Sequence, residues 1–169
     1  MRAQGNPALT WHGRDVTSVF DLLGRSENDL TAALAFALTR SPDFLHRLMK
    51  RLLPMAGRDV AAVRLETRDT GGRTDLEIDC GSDLVIIEAK RGWLLPSESQ
   101  LGAYAPRVHK RGGGVLVSLS DTSLEWSARV LPSTIDEVPV VHLPWDLIRD
   151  DLVRQPVRPE ITEVIVQRS

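Results

Sequence analysis

Cysteine is nearly absent from this chain: Cys80 is the only one among 169 residues. That excludes an internal disulfide and a thiolate-bound metal cluster, and makes the cytoplasm the expected location. Long apolar runs are missing too. No segment approaches the ~18 residues that span a bilayer, and the opening MRAQGNPALTW lacks the apolar stretch of a secretion signal. An excess of positive charge is also lacking. The formal net charge is −2, which argues against a stand-alone, high-affinity DNA binder, because such affinity comes largely from neutralising phosphates. Two local basic clusters remain, Arg47/Lys50/Arg51 and Arg107/Lys110/Arg111. The four histidines (His12, His46, His109, His142) show no metal-ligand spacing. Serine-hydrolase chemistry has no G-x-S-x-G to rest on. Gly112–Gly114 has neither the strand-loop-helix context nor the GK[ST] of a phosphate loop.

Lysine is scarce as well. The chain uses eighteen Arg and three Lys, namely Lys50, Lys90 and Lys110. Where bulk positive charge is needed, this sequence supplies Arg. A Lys at a structured position therefore draws notice, since an ammonium is a compact point charge that fits beside a water and a phosphate oxygen.

What is present suits one α/β domain with a sizeable core: 42% hydrophobic and 26% charged residues. The densest signal is TDLEIDCGSDLVIIEAK, residues 74 to 90. Gly81-Ser82 forms a two-residue hairpin loop with Gly at the first central position. That turn pairs Cys80 with Asp83, Ile78 with Val85, Leu76 with Ile87 and Asp75 with Glu88. Alternation puts Glu88 and Lys90 on one face, with Asp75 opposite Glu88 at a Cβ separation of roughly 4.5–5.5 Å. Directly opposed like charges destabilise a sheet unless offset; a divalent cation would offset them, and carboxylate oxygen is what Mg²⁺ prefers. Upstream, a Gly71-Gly72 loop pairs Thr70 with Arg73, Arg68 with Asp75, Leu65 with Ile78 and Val63 with Cys80. The meander then sorts Val63, Leu65, Leu76, Ile78, Val85, Ile87 and Ala89 onto one face. The third strand, apolar on both faces until Glu88, reads as central and buried.

Around this meander the pattern predicts a short helix near residues 16–23. A helix capped by Ser26 follows, and a second begins at Ser41-Pro42. Ser97 with Gln100 reads as a capping box that starts a helix carrying Leu101, Tyr104, Ala105 and Val108 on one face; Pro106 kinks or shortens it. A strand over 115–120, a helix over 122–130, a strand over 138–143 and a helix over 144–152 complete the list. The expected fold is a mixed β-sheet of about five strands flanked by helices. Residues 1–25 are an N-terminal extension, 26–155 the domain, and 156–169 a tail ending in a possible strand, 161–166, that suits a partner or a longer multi-domain chain.

Asp75 followed by Glu88-Ala89-Lys90 at the end of an apolar strand resembles the active-site signature of the PD-(D/E)xK nuclease superfamily, the restriction-endonuclease-like fold. Thr74 stands where the family usually has Pro. Ser99-Gln100-Leu101 with Tyr104 resembles the Gln-bearing helix of several branches, and Glu27 in SENDLTAAL resembles the acid of the first core helix. The resemblance covers about residues 26–120 and implies an α-β-β-β-α-β core. It also implies a Mg²⁺-dependent deoxyribonuclease, with Mn²⁺ as a substitute metal, acting in defence or repair. Asp75, Glu88, the Ala89 carbonyl and Glu27 would hold the metal, Lys90 would orient the attacking water, and Gln100 would position Lys90, a water or the phosphate backbone. DNA is the implied partner, and cutting both strands would call for two such sites, hence a homodimer or two visits by one chain. A nuclease-fold module that binds nucleic acid or protein with little or no cleavage is the alternative.

Each residue also has a plainer explanation. Arg68 across the first hairpin would neutralise Asp75. Lys90 would be a surface lysine paired with a carboxylate. Glu27 suits a helix first turn through the dipole alone, Gln100 is explained by capping, and Tyr104 reads as core.

Overall fold

The computed structural model describes residues 7–16, 29–54 and 59–153. Strand β1 (Ala8–Trp11) turns through His12 and Gly13, both at positive φ, into β2 (Arg14–Asp15). Helix α1 (Asp29–Arg40) carries an acid in its first turn and a base in its last, as the helix dipole favours. Helix α2 (Pro42–Leu52) begins with Pro behind the Ser41 cap, whose hydroxyl accepts the Phe44 N–H. Next come β3 (Ala62–Leu65), the small hairpin β4 (Arg68–Asp69) and β5 (Gly72–Arg73), then β6 (Leu76–Asp79) and β7 (Leu84–Ala89). The predicted helix near Pro106 is two short ones, α3 (Glu98–Gly102) and α4 (Ala105–Arg111), with Pro106 in the first turn of the second. Strand β8 (Gly114–Ser120), α5 (Leu124–Val130), β9 (Thr134–Ile135), β10 (Val138–Pro144) and α6 (Trp145–Val153) follow.

The main sheet has eight strands in the order β2-β1-β3-β6-β7-β8-β10-β9, not five. Its centre is the predicted meander, with β8 parallel to β7 and β10 parallel to β8. The additional strands lie at the edges. Strand β1 runs parallel to β3, so part of the stretch set apart as an extension belongs to the sheet, and Val16 donates its N–H to Leu9. The rest of the helix expected over 16–23, the Ser26 cap and the strand expected over 161–166 lie outside the described residues. No helix among the described residues is long and apolar enough to cross a membrane.

Alternation along β6, β7 and β8 divides the core. Val63, Leu65, Leu76, Ile78, Val85, Ile87, Val115 and Val117 pack with α1, α2 and α6. Leu84, Ile86 and Leu116 pack on the other face with Leu101, Tyr104, Ala105 and Val108. The sheet is covered on both sides, which is why β7 is apolar in both directions.

The Gly81-Ser82 hairpin has the predicted register: Ile78 opposite Val85 and Leu76 opposite Ile87. The upstream hairpin is shifted by two residues. Arg68 faces Arg73 and Leu65 faces Leu76, so the loop is Thr70-Gly71 rather than Gly71-Gly72. The Asp69 carboxylate takes the Gly71 N–H at 2.7 Å, closing an Asx turn there. Gly71 also lies close under the break between α3 and α4, where a Cβ would come within 2.5 Å of the Ala103 carbonyl oxygen. A two-residue shift leaves every side chain on its face. It changes the neighbours, however: Glu66, not Arg68, pairs with Asp75, its N–H on the Asp75 carbonyl at 3.1 Å.

Candidate active site

On the α3–α4 face, side chains from five adjacent strand segments form one transverse row. Glu66 lies beside Asp75; Asp75 is one step beyond the Leu76–Ile87 pair and therefore opposite Glu88; Glu88 pairs with Ser118, and Ser118 with His142. The row crosses the sheet where β7, β8 and β10 end, the edge at which parallel strands of α/β folds commonly present their sites.

Asp75 just precedes β6. Its Oδ2 accepts the Ala89 N–H at 2.8 Å, fixing the carboxylate against the end of β7; Oδ1 accepts no hydrogen bond among the described residues. Glu88 is buried, and three donors surround it: Lys90 Nζ at 2.8 Å and Gln100 Nε2 at 2.5 Å on Oε1, and the Tyr104 hydroxyl at 3.1 Å on Oε2. That hydroxyl also lies 2.7 Å from the Arg73 carbonyl oxygen. It has one proton for two acceptors, so it cannot satisfy both fully. Burial, then the charge of Glu88, push the Tyr104 phenol well above its ordinary range. Burial, and next the neighbouring Glu88 charge, raise the Asp75 carboxyl to about 6, against partial relief from the Ala89 N–H, Lys90 and Arg73.

Asp75, Glu88, Lys90 and Gln100, drawn from three successive segments of the chain, therefore converge, and the Ala89 N–H bonds the Asp75 carboxylate. Glu27 lies outside the described residues. Ser97 accepts the Gln100 N–H as a capping box requires, but the Gln100 side chain reaches Glu88 instead of returning to the cap. Tyr104 is both core and part of the site. It sits four residues after Gln100, and that spacing on one helical face was the available signal. Glu66 was hidden by the register shift; it is engaged by His12 and, at 3.6 Å, by Arg73. His142 is buried with Nδ1 on Ser118 Oγ at 3.1 Å and Nε2 on the Thr122 carbonyl oxygen at 2.8 Å, and burial lowers its pKa. It fastens β10 to β8.

Among the described residues, no three His, Cys, Asp or Glu side chains gather as a metal cage. A Mg²⁺ ion does not require one, since it commonly takes one or two carboxylates and keeps several waters. Two facing carboxylates, one raised by burial and next by the charge of the other, and carrying an oxygen that accepts no hydrogen bond among the described residues, fit that demand.

A second acid-bearing patch shares this face. Arg107 of α4 is clamped by Asp69, Glu77, Thr74 Oγ1 and the Gly72 carbonyl. Hydrogen bonding to Arg107 holds Asp69 below its ordinary value. Burial pushes Asp79 up, but the Gly81 N–H, Arg64 and Arg111 outweigh it and hold that carboxyl low. Arg107 and Arg111 of one basic cluster, and Arg51 of the other, thus face internal acids.

Compared with protein-family models, with curated proteins and with solved structures, the chain finds no match in any of the three.

Proposed function

We propose that this chain is a cytoplasmic, Mg²⁺-dependent nuclease of the PD-(D/E)xK type, hydrolysing phosphodiester bonds of DNA. The observation that carries the reading is the strained pair: Asp75 and Glu88 face each other at the end of β7 with Lys90 and Gln100 beside them. With α2 and the β4–β5 hairpin set aside as insertions, the order α1, β3, β6, β7, α3–α4, β8 is compatible with the α-β-β-β-α-β order of that fold.

Asp75, Glu88 and the Ala89 carbonyl would hold the metal. When bound, such an ion lowers the pKa of a coordinated water and stabilises charge on phosphoryl oxygens. Lys90, whose ammonium lies 2.8 Å from Glu88, would orient the attacking water and offset charge on the phosphate, an electrostatic role. Gln100 then keeps Glu88 in place through its amide. The neutral donor of Gln100 steadies Glu88 without cancelling its charge, leaving that charge available to a cation.

Incubation of the purified chain with DNA and Mg²⁺ tests this. Cleavage that disappears in Asp75→Ala and Lys90→Ala supports it; equal cleavage by those variants refutes it. One observation favours the second reading, a binding module with little turnover: Arg51, Arg107 and Arg111 are paired with acids of the chain itself, which reduces what the two basic clusters offer to phosphates. Binding that persists in EDTA with no cleavage in Mg²⁺ would select that module.

A further inference from the structure

Among the described residues, Trp93 and Trp126 are 71% and 54% exposed. Large exposed apolar side chains that share one cleft, unlike ones scattered singly, mark an interaction site or ligand groove. Both line one open cleft of about 460 Å³, together with Ser123, Glu125 and Arg129. They come from separate segments, the loop after β7 and helix α5. Three residues of chain reach about 11 Å at most, so the Trp93 backbone lies within that distance of the Lys90 backbone. The connection is fixed as well as short. The Asp121 N–H bonds the Gly92 carbonyl at 2.8 Å, the Thr122 hydroxyl bonds the Trp93 carbonyl at 2.9 Å, and His142 holds the Thr122 carbonyl at 2.8 Å. The Ser123 hydroxyl caps α5 through the Trp126 N–H. Glu125 is offset by Arg129, so the lining carries no uncompensated acid.

We propose that this cleft stacks an unpaired nucleobase of the DNA strand whose phosphate reaches Asp75 and Glu88; the inference rests on the nuclease reading. Indole faces bind the faces of bases, which a duplex hides between neighbouring pairs, so the cleft selects single strands, frayed ends or flipped bases. Charge favours this occupant. The net charge is −2, and Arg107 and Arg111 are engaged by Glu77 and Asp79, which limits the affinity the chain draws from phosphates. Stacking is indifferent to sequence and can replace that missing contribution, and the Arg129 guanidinium can join the stack or meet a phosphate.

The test is binding of a fluorescent oligothymidylate, single-stranded and as a duplex, to the full chain in EDTA. Affinity of the single strand falls about tenfold in Trp93→Ala and in Trp126→Ala, is largely kept in Trp126→Phe, and is unchanged in Val130→Ser, which lies outside the cleft. Unchanged affinity in both alanine variants overturns the proposal, as does equally tight, tryptophan-dependent binding of the duplex. Cleavage in Mg²⁺ is scored separately with Asp75→Ala. Asp75-dependent cleavage with tryptophan-independent binding removes the cleft alone. Tryptophan-dependent binding with no cleavage supports base stacking and removes the nuclease.

Discussion

The Arg107 patch and the Asp75–Glu88 patch lie on one sheet face, under the same two helices, and each sets two carboxylates against one cation. At Arg107 the guanidinium fork hydrogen-bonds both acids, Asp69 and Glu77. At the other patch the ammonium of Lys90 reaches Glu88 only, and Asp75 has a backbone N–H in its place. The outcome differs accordingly: Asp69 is held below its ordinary value, while Asp75 is raised to about 6. A planar, five-donor cation closes its site; a point charge leaves its site short of positive charge. The first patch holds the fold together, and the second keeps a demand for a cation that the fold does not meet.

The sharpest way to break this contrast is to remove each cation in turn. Arg107→Ala strands the buried Glu77 and should cost about 3–5 kcal/mol of stability in urea unfolding. Lys90→Ala leaves Glu88 with Gln100, and because Lys90 is itself partly exposed, so that water can take its place, it should cost less, about 1–2 kcal/mol; on the nuclease reading it should also lower Mg²⁺-dependent cleavage about a hundredfold or more. Equal destabilisation by the two substitutions would make Lys90 a structural cation and erase the difference.

Asp75→Asn sharpens the contrast from the other side. The amide can still accept the Ala89 N–H, while the repulsion with Glu88 disappears. Because the folded pKa of about 6 lies above the ordinary 3.8, the folded chain binds more protons than the unfolded one between those values. Wild-type stability therefore falls as pH rises through that window, and below it the carboxyl is neutral in both states. Allowing for partial solvent screening, Asn should stabilise the metal-free protein by about 1–2 kcal/mol above that window. The gain should vanish below it, as thermal unfolding across pH would show. An Asn variant that is less stable at neutral pH would remove the case for strain.

On the nuclease reading, the same group would set the pH dependence of metal affinity. A proton on Asp75 competes with the ion, so Mg²⁺ affinity measured by calorimetry should be level above about pH 6. Below that it should fall toward tenfold per pH unit, with one proton released per ion bound. Affinity that stays flat down to pH 4 would take Asp75 out of the metal site.

How far the chain was readable depended on how local each signal was. The β6–β7 register followed from one turn and strict alternation, and it brought Asp75, Glu88 and Lys90 together without long-range information. Two adjacent glycines left the centre of the preceding turn undetermined; the Asp69 side chain and the approach of Ala103 decide it. The apolar face survived that shift, but Glu66 took the place assigned to Arg68. Edge strands left almost no trace: β9 has two residues and turns through Asp136 and Glu137, non-glycine residues at positive φ. Ser118 and His142 join the row only through parallel crossovers, which no local pattern encodes.

The smallest expected effect concerns Tyr104, where the two patches meet, the Arg107 guanidinium lying 5.9 Å from its ring centre. Its single proton faces the Arg73 carbonyl at 2.7 Å and Glu88 at 3.1 Å. The shorter contact to a neutral acceptor indicates that the proton points mainly at the backbone. Tyr104→Phe should then cost about 1 kcal/mol, the worth of one ordinary hydrogen bond, and change Mg²⁺ affinity by less than about twofold. A large rise in metal affinity would instead mean that the hydroxyl proton belongs to Glu88, and that the phenol restrains a carboxylate the metal must win.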